Sequence, residues 1–542
     1  MPEYLAPGVY VEEVPSGPVP IQGVGTSTAG MVGLTERGPT RPRLVTGWGE
    51  YQAWYGGLMP PSQSYLPWSA RGFFDNGGQR LFVARIVRSD AVAAQRTHDT
   101  SDAAQSLRID AMGPGDWGNR VFVRITDGNY DPGSPPANPP VNVTILYFRT
   151  PPPVIPPIDP FDATLIADPD RREPDEVEQY ENVGWLPEST DYLIPYINAR
   201  SKLVDLDWGN NAQPPARPNV SSDFLPLDTV AGFDGNVALS DGDFLGDDSL
   251  MPGTRVGLAA LAEIDEIAIL AAPDHVNTAL LSAIDGDDLM NHVVSQCELL
   301  RDRFAVISAV SGAGDVNALR PPRDSSYAAF YAPWIRVSDP AGSDTYLIPP
   351  IGHVMGVYAR TDVERGVHKA PANEVVRGMV TIDINAVRKP LEFPFGKRDQ
   401  DILNPKSVNV IRDFRSDRRG IRVYGARTMS SDATWRYVNV RRLLLYIEES
   451  IDEGTQWVVF EPNDEPLWAR VRQSVVNFLD QTWRSGALQG SKREEAYFVR
   501  CDRTTMTQAD IDSGRLICQI GVAPVKPAEF VIFRIQLNTA TK

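Results

Sequence analysis

The end of the chain alternates apolar and polar residues as a β-strand does. The run PAEFVIFRIQLNT covers residues 527–539. One fully apolar face is predicted from four residues at every second position: Val531, Phe533, Ile535 and Leu537. A terminal strand needs a neighbour. Two alternatives stay open: pairing inside its own domain beside residues 516–522, or pairing with another chain.

The beginning of the chain predicts an extended arm. Residues 1–22 contain five prolines, which disfavour a helix, around the short alternating run GVYVEEV. The strand-like positions of this run are Val9, Tyr10, Val11 and Val14. We expect the arm to pair with another subunit; the alternative is a terminus that is simply disordered.

The interior changes its periodicity several times. A helix, the turn Asn76-Gly77-Gly78 and a buried strand around Leu81 and Val83 are predicted before residue 99. Residues 100–200 predict a β-rich insertion interrupted by proline-rich spacers. Between residues 230 and 384 apolar strands such as EIAILAAP and RFAVISAVSG alternate with helices, which indicates an α/β layer with a largely parallel sheet.

The last region predicts two amphipathic helices and three strands. TWRYVNVRRLLLYIEESIDEGTQ and DEPLWARVRQSVVNFLDQTWRSGAL are the helices, with QWVVFEPN as a short strand between them. The strands EAYFVRCD and LICQIGVAPV follow. The second helix has an apolar face formed by Leu467, Val471, Val475, Phe478 and Leu479. Its polar face is formed by Arg470, Gln473, Asn477, Gln481 and Arg484.

Charge separates the two ends of the 542-residue chain. The chain has 52 basic and 70 acidic residues, which argues against binding to nucleic acid. Residues 401–542 carry 21 basic and 18 acidic residues, a net charge of +3, whereas residues 1–400 carry a net charge of −21. This difference suggests that the C-terminal region meets an acidic partner; uneven placement without function is the alternative.

The cysteine spacing and the first residues of the chain indicate the cellular compartment. The three cysteines, Cys297, Cys501 and Cys518, are far apart in sequence and have no CxxC spacing, so we expect reduced thiols and neither a disulfide framework nor a zinc site. The first residues have no secretory signal pattern, and no apolar run is long enough to span a bilayer. We therefore expect synthesis in the cytosol and no insertion into a membrane.

Enzyme chemistry finds little support. The run GTSTAG, Gly25–Gly30, resembles the segment around the nucleophile of subtilases, but Ser27 precedes all five histidines, whereas a subtilase needs Asp, His and Ser in that order. Phosphate-binding, calcium-loop and HExxH motifs are also missing. We predict no catalytic residue, no metal and no cofactor.

Several runs, in order along nearly the whole chain, resemble contractile tail sheath proteins. The most specific are SSYAAFYAPW, GHVMGVYARTDVERGVHKAPAN, and RRLLLYIEESI followed by VFEPNDEPLW. Others are YLAPGVYVEEV, GVGTSTAGMVGLTERGP, WGNRVFVRI, VAGFDG and AALAEIDEIAILAAP. Such proteins occur in contractile phages, R-type tailocins and extracellular contractile injection systems, and the runs do not separate these three settings.

The resemblance implies an α/β and α+β multidomain fold. Its expected parts are a subtilisin-like doubly wound middle domain without protease chemistry, a β-rich outward insertion, and a C-terminal α/β domain whose arms exchange strands between subunits. The corresponding boundaries are 1–22 for the first arm, 23–99 for the first part of the core, 100–200 for the insertion, 201–400 for the middle domain, 401–526 for the C-terminal domain and 527–542 for the last arm.

The resemblance also implies a mechanism and partners. Hexameric rings would stack helically around an inner tube and contract to drive it through a target envelope, with baseplate and terminator or cap proteins at the ends. Assembly in the bacterial cytoplasm, with release by lysis, fits this function. Candidate tube contacts are Arg470, Arg472, Arg484, Lys492 and Arg493. The alternatives are a subtilase-like hydrolase, active or degenerate, and a non-contractile coat protein.

Overall fold

The structure is a computed structural model that describes most of the chain. The described residues are 20–131, 133–134, 136–209, 215–280, 286–340, 342, 344–380 and 389–530. These residues form two compact units. The larger unit comprises residues 27–360 and 371–433, and the smaller unit includes residues 20–26, 361–370 and 434–530.

The larger unit contains three β-sheets of three or more strands and two short strands that form a ribbon. Its strands are β1 (Ala29–Gly33), β2 (Arg43–Val45), β3 (Leu81–Arg85), β4 (Gln95–Asp99), β5 (Ser106–Ala111), β6 (Val121–Asp127), β7 (Val141–Tyr147), β8 (Glu176–Val183), β9 (Val204–Trp208), β10 (Leu225–Pro226), β11 (Ile269–Ala271), β12 (Phe304–Ser308), β13 (Ala328–Ala332), β14 (Ile335–Ser338), β15 (Thr345–Ile348), β16 (Glu374–Val375), β17 (Val408–Asp413) and β18 (Ile421–Val423).

A nine-stranded sheet forms the centre of the larger unit, in the order β16-β18-β17-β13-β12-β11-β1-β3-β2. The six strands from β17 to β3 in this order run parallel to their neighbours, and the strands at both edges are antiparallel. Parallel strands buried on both faces are continuous apolar runs, as in FAVIS of β12. The predicted α/β class and its largely parallel sheet are therefore confirmed.

The sheet takes strands from outside the expected middle domain of residues 201–400. β1 and β3 come from the segment 23–99, and β17 and β18 come from the segment that we assigned to the C-terminal domain. Most neighbouring strands of this sheet come from distant segments, as the registers of Ala29 with Ile269 and of Phe330 with Val408 show. Local periodicity carries no information on such pairings.

Helices of the larger unit pack closely where small residues allow it. They are α1 (Trp48–Tyr55), α2 (Leu66–Asp75), α3 (Leu193–Asn198), α4 (Asp241–Leu245), α5 (Gly257–Ala262), α6 (Gly286–Leu300), α7 (Ile351–Arg365) and α8 (Lys397–Leu403). A Cβ atom at Gly352 would lie 1.9 Å from the carbonyl oxygen of Ser69, so α7 and α2 meet backbone to backbone there. The predicted strand around Leu81 and Val83 is confirmed, with both side chains fully buried.

The β-rich segment extends from Gln95 to Pro226, beyond the expected range of 100–200. It forms a four-stranded sheet, β10-β6-β7-β8, and a three-stranded sheet, β4-β5-β9, around a shared apolar core. Arg149 follows β7 and donates to both carboxylate oxygens of Glu36, at 3.0 and 3.1 Å. This bidentate pair joins the segment to the loop that follows β1.

A buried carboxyl group lies at the carboxyl end of β11. Asp274 is fully buried and accepts hydrogen bonds from the Ser64 hydroxyl at 2.8 Å and the Tyr65 N–H at 2.6 Å. Burial raises the pKa of Asp274 to about 6, against the effect of these hydrogen bonds.

The smaller unit contains the two predicted helices and a two-stranded sheet. Its elements are α9 (Val438–Thr455), α10 (Glu465–Arg484), α11 (Arg493–Ala496), α12 (Gln508–Asp512), β19 (Tyr497–Arg500) and β20 (Gln519–Val522). The five predicted apolar positions of α10 are all buried. Asp464 caps this helix by accepting from the N–H of Leu467 at 2.9 Å, and Pro466 stands in its first turn.

The predicted strand QWVVFEPN is wrong. Residues 456–458 form a short 3-10 helix, and Phe460 follows with a φ of +69° and a fully exposed side chain. The run lies between the end of α9 and the cap of α10, so its residues form the connection between the two helices. Among the described residues, no helix is long and apolar enough to cross a membrane.

Candidate subunit interface

The β19–β20 sheet has one face packed against the smaller unit's core. Tyr497 is buried in this core, which includes residues of α10. Three partly buried residues on the same face of the sheet also contact the core: Val499, Ile520 and Val522. The register pairs Tyr497 with Val522, which are the first of four antiparallel pairs. Both strands were predicted from their sequence, and both predictions are confirmed.

The register shows which main-chain N–H and C=O groups point outward at the two edges of this sheet. The N–H of Ala523 donates to the carbonyl of Ala496 at 2.8 Å, so the adjacent pair Tyr497 and Val522 is not a hydrogen-bonded pair. Because the two pair types alternate, Val499 and Ile520 also form a pair without mutual bonds. Their N–H and C=O groups therefore point away from the partner strand.

Both edges are open in the part of the chain that the structure describes. No hydrogen bond joins the main-chain groups of Val499 or Ile520 to another described residue outside the sheet. Beyond β20 the edge closes, since Gln489 donates to Ala523 at 2.7 Å and Val525 donates to Ala487 at 3.1 Å. A two-stranded sheet with free edges can accept a further strand on either side.

The outer face of the sheet is partly apolar. Phe498 is 45% exposed and lies across from Gly521, where a Cβ atom would come within 2.2 Å of its ring. Ile517 and Phe530 are also exposed. Exposed aromatic and aliphatic side chains next to an open edge are typical of surfaces that another chain covers.

The described chain near both termini lies along α9. Ile21 is buried and packs against Gly454, and the N–H of Val24 donates to the Ser450 hydroxyl at 3.1 Å. At the other end of α9, Asn439 donates to the carbonyl of Val525 at 3.2 Å. These two attachments are separated by most of a helix that is about 27 Å long. The two arms therefore start from well-separated points.

The strand residues predicted for the arms lie outside the described residues. They are Val9, Tyr10, Val11, Val14, Val531, Phe533, Ile535 and Leu537. Strand exchange stays a prediction for all of them.

A buried ion pair, which the sequence did not predict, holds the first attachment. Arg442 on α9 donates to both carboxylate oxygens of Asp362 at 3.0 and 2.7 Å, and to the carbonyl of Thr26 at 2.8 Å. Both side chains are at most 3% exposed. Burial raises the pKa of Asp362, and the guanidinium of Arg442 opposes this rise. The signal in the sequence was weak, because a basic residue on an amphipathic helix usually faces solvent.

Three of the five candidate tube contacts are engaged within the chain. Arg470 pairs with Glu461 at 3.1 Å and lies over the ring of Trp457. Arg484 pairs with Asp480 at 2.9 Å. The third is Arg493.

Arg493 donates to the Tyr497 hydroxyl at 2.5 Å and lies 3.7 Å from Asp480. Arg472 and Lys492 are exposed and form no ion pair with any described residue. Of the five candidates, these two are therefore the ones without an ion pair among the described residues.

Comparison with known proteins agrees with this architecture. The family model of the phage tail sheath protein central domain matches residues 254–429, and that of the phage tail sheath C-terminal domain matches residues 430–538. Together the two matches cover more than half of the chain.

Two similar proteins are described as tail sheath proteins. A prophage major tail sheath protein of Pseudomonas aeruginosa (strain UCBPP-PA14) is 24% identical over 298 residues, which are 53% of this chain and 70% of that protein. The tail sheath protein of Escherichia phage P2 is 24% identical over 257 residues, 47% of this chain and 61% of that protein. The match thus spans less than two thirds of the phage protein.

Solved structures extend the likeness in fold to nearly the whole chain. The helical sheath of the anti-feeding prophage in its contracted state has a TM-score of 0.56 and 23% identity, over 99% of this chain and 100% of that chain. The PVC sheath complex of an extracellular contractile injection system, also contracted, has a TM-score of 0.53 and 22% identity, over 99% of both chains. With both domain models matched in order, the chain belongs to the contractile tail sheath protein family.

Proposed function

We propose that this tail sheath protein polymerises as hexameric rings stacked helically around an inner tube and contracts to drive the tube through a target envelope. The observation that carries the proposal is the match of both sheath domains, in order, over residues 254–538. The fold likeness to two sheaths solved in a contracted state supports it.

The subunits connect through exchanged strands. Within the described residues the β19–β20 sheet has open edges at Val499 and Ile520, and the sequence has two arms with strand-like alternation. We assign one arriving arm to each edge. About four main-chain hydrogen bonds at roughly 0.5–1.5 kcal/mol each, with burial of the apolar face of the arm, stabilise each connection by several kcal/mol. A head-to-tail contact that does not close on itself extends into a helical polymer.

The inner tube meets the less acidic smaller unit. Arg472 and Lys492 are the cations that can pair with acidic groups of the tube, whereas Arg470, Arg484 and Arg493 are assigned to organising the sheath surface. Exposed pairs of this kind contribute about 0–1 kcal/mol each, which lets the sheath move along the tube.

The remaining assignments follow from the family. The parallel sheet of the larger unit is the subtilisin-like middle domain, and the segment Gln95–Pro226 is the outward insertion. The excess negative charge of residues 1–400 keeps a long polymer soluble. Baseplate and cap proteins bind at the two ends, and assembly takes place in the bacterial cytoplasm before release by lysis.

A hydrolytic role is not proposed. Ser27 is half-buried before β1, and within the described residues it forms no hydrogen bond to a histidine. A serine nucleophile normally has its activating base within hydrogen-bonding distance. We assign Ser27 to packing.

Electron microscopy of the purified protein tests the proposal. We expect hollow ridged tubes from the full chain and none after removal of residues 1–22 or 527–542. Closed shells, or tubes that form without either arm, would contradict it. Circular dichroism of the truncated chains serves as the control for folding.

A further inference from the structure

Two of the three cysteines, which are distant in sequence, meet at the end of the β19–β20 sheet. The last regular pair of the ladder is Arg500 with Gln519, so the next position places Cys501 opposite Cys518. The alternation that makes Val499 and Ile520 a pair without mutual hydrogen bonds gives Cys501 and Cys518 the same type. In such pairs the side chains approach more closely and the Cα atoms are about 4.5 Å apart.

This position suits a disulfide. Disulfides join cysteines whose Cα atoms are about 4.4–6.8 Å apart, and the general spacing of pairs of this type, about 4.5 Å, falls within this range. The two side chains are already in contact, because a hydrogen bond joins the thiols. Both cysteines are free in this structure.

The two thiols differ in access and acidity. Cys518 is partly exposed and Cys501 is buried. The hydrogen bond from Cys501 lowers the pKa of Cys518, and nearby Arg472 acts in the same direction against the effect of burial. The same hydrogen bond, together with burial, raises the pKa of Cys501. Cys518 is therefore the more accessible and the more acidic of the two thiols, which makes it the first to react with an external reagent.

We propose that Cys501 and Cys518 form a dithiol site that a low-molecular-weight disulfide, such as oxidised glutathione, converts to a disulfide across β19 and β20. The Cys518 thiolate attacks one sulfur of the reagent and releases one thiolate, which leaves a mixed disulfide on Cys518. Cys501 then loses its proton to solvent, attacks the Cys518 sulfur and releases the second thiolate. The chain loses two protons and two electrons, and the reagent is reduced to two thiols.

The bond would fix the sheet that we assign to accepting arms. It closes the loop that contains α12 and holds the register of β19 against β20 at one end. The chemistry itself does not depend on assembly, so its test and the test of the proposed function can fail separately.

The test uses the reduced full-length protein incubated with oxidised glutathione, followed by thiol titration, intact mass and peptide mapping. We expect a loss of two of the three thiols, a mass lower by two hydrogen atoms, and one peptide pair that joins Cys501 to Cys518. Cys297 is fully buried, and burial raises its pKa, so Cys297→Ala serves as the matched control and should lose the same two thiols.

Two variants separate the internal bond from simple modification. Cys501→Ala should retain glutathione on Cys518 as a stable mixed disulfide, and Cys518→Ala should react slowly or not at all. Oxidation should also raise the urea midpoint of the wild type and leave that of the Cys501→Ala, Cys518→Ala double variant unchanged. A wild-type protein that ends as the mixed disulfide, or that cross-links only between chains, would overturn the proposal.

Discussion

Replacing Val499 by proline tests whether an arriving strand uses the open edge of β19. The N–H of Val499 points away from β20, so the hydrogen bonds of the β19–β20 sheet do not need it. Proline lacks this donor and is tolerated where the N–H of an edge strand faces outward. We therefore expect Val499→Pro to fold as the wild type does and to lose one donor for an arriving arm.

The size of the effect follows from the lost hydrogen bond. The contact itself is worth about 0.5–1.5 kcal/mol, and the carbonyl of the arm that stays unsatisfied on burial costs about 1–3 kcal/mol more. A loss of about 1.5–4.5 kcal/mol weakens each connection about 10- to 2000-fold. Since every subunit in the polymer repeats the defect, assembly should fail at concentrations at which the wild type polymerises.

Sedimentation and negative-stain microscopy measure the outcome. Val499→Thr, which keeps the N–H and the β-branched shape, is the matched control and should polymerise. Ile520→Pro applies the same perturbation to the edge of β20. Urea unfolding, followed by tryptophan fluorescence, checks that each variant is folded. Normal tubes from both proline variants would refute strand addition at these edges.

Three further predictions concern the interior and the tube. Arg442→Met should lower the free energy of unfolding by about 3–5 kcal/mol in urea titrations, because it leaves the buried carboxylate of Asp362 unpaired, and adding Asp362→Leu should restore part of it; equal stability of the single variant and the wild type would contradict this. Asp274→Asn should remove a pH dependence of the free energy of unfolding. Because the pKa of Asp274 is raised to about 6 in the folded state, the free energy of unfolding of the wild type should fall by up to roughly 3 kcal/mol as the pH rises from 4 to 7. A variant whose free energy of unfolding falls equally over this pH range would refute the assignment. Arg472→Glu should weaken co-sedimentation with the inner tube protein several-fold in a salt-dependent manner, whereas Arg484→Glu, whose cation is already paired, should change it less.

Much of the fold could be predicted wherever local periodicity carries the information. The apolar positions of α10 repeat at helical spacing, and the runs of β3 and β12 are continuous because both faces of the sheet are covered. The same reasoning failed for QWVVFEPN. Its apolar run suits a strand, but the caps of the flanking helices leave it only enough length for a turn.

Contacts between distant segments could not be predicted. The pairing of β13 with β17 and the meeting of Cys501 with Cys518 depend on registers that no local pattern contains. Arg442 has the same periodicity as a surface residue, and its carboxylate partner lies 80 residues earlier in the chain. The candidate tube contacts have the same cause. The sequence pattern predicts five exposed cations, but it contains no information on the acidic partners that three of them meet within the chain.

The most direct test of the account is a cryo-electron microscopy reconstruction of the assembled polymer. We expect each β19–β20 sheet to gain one strand at Val499 and one at Ile520, drawn from residues 1–22 and 527–542 of neighbouring subunits. Termini that pair with their own subunit, with neighbours touching only through side chains, would contradict it.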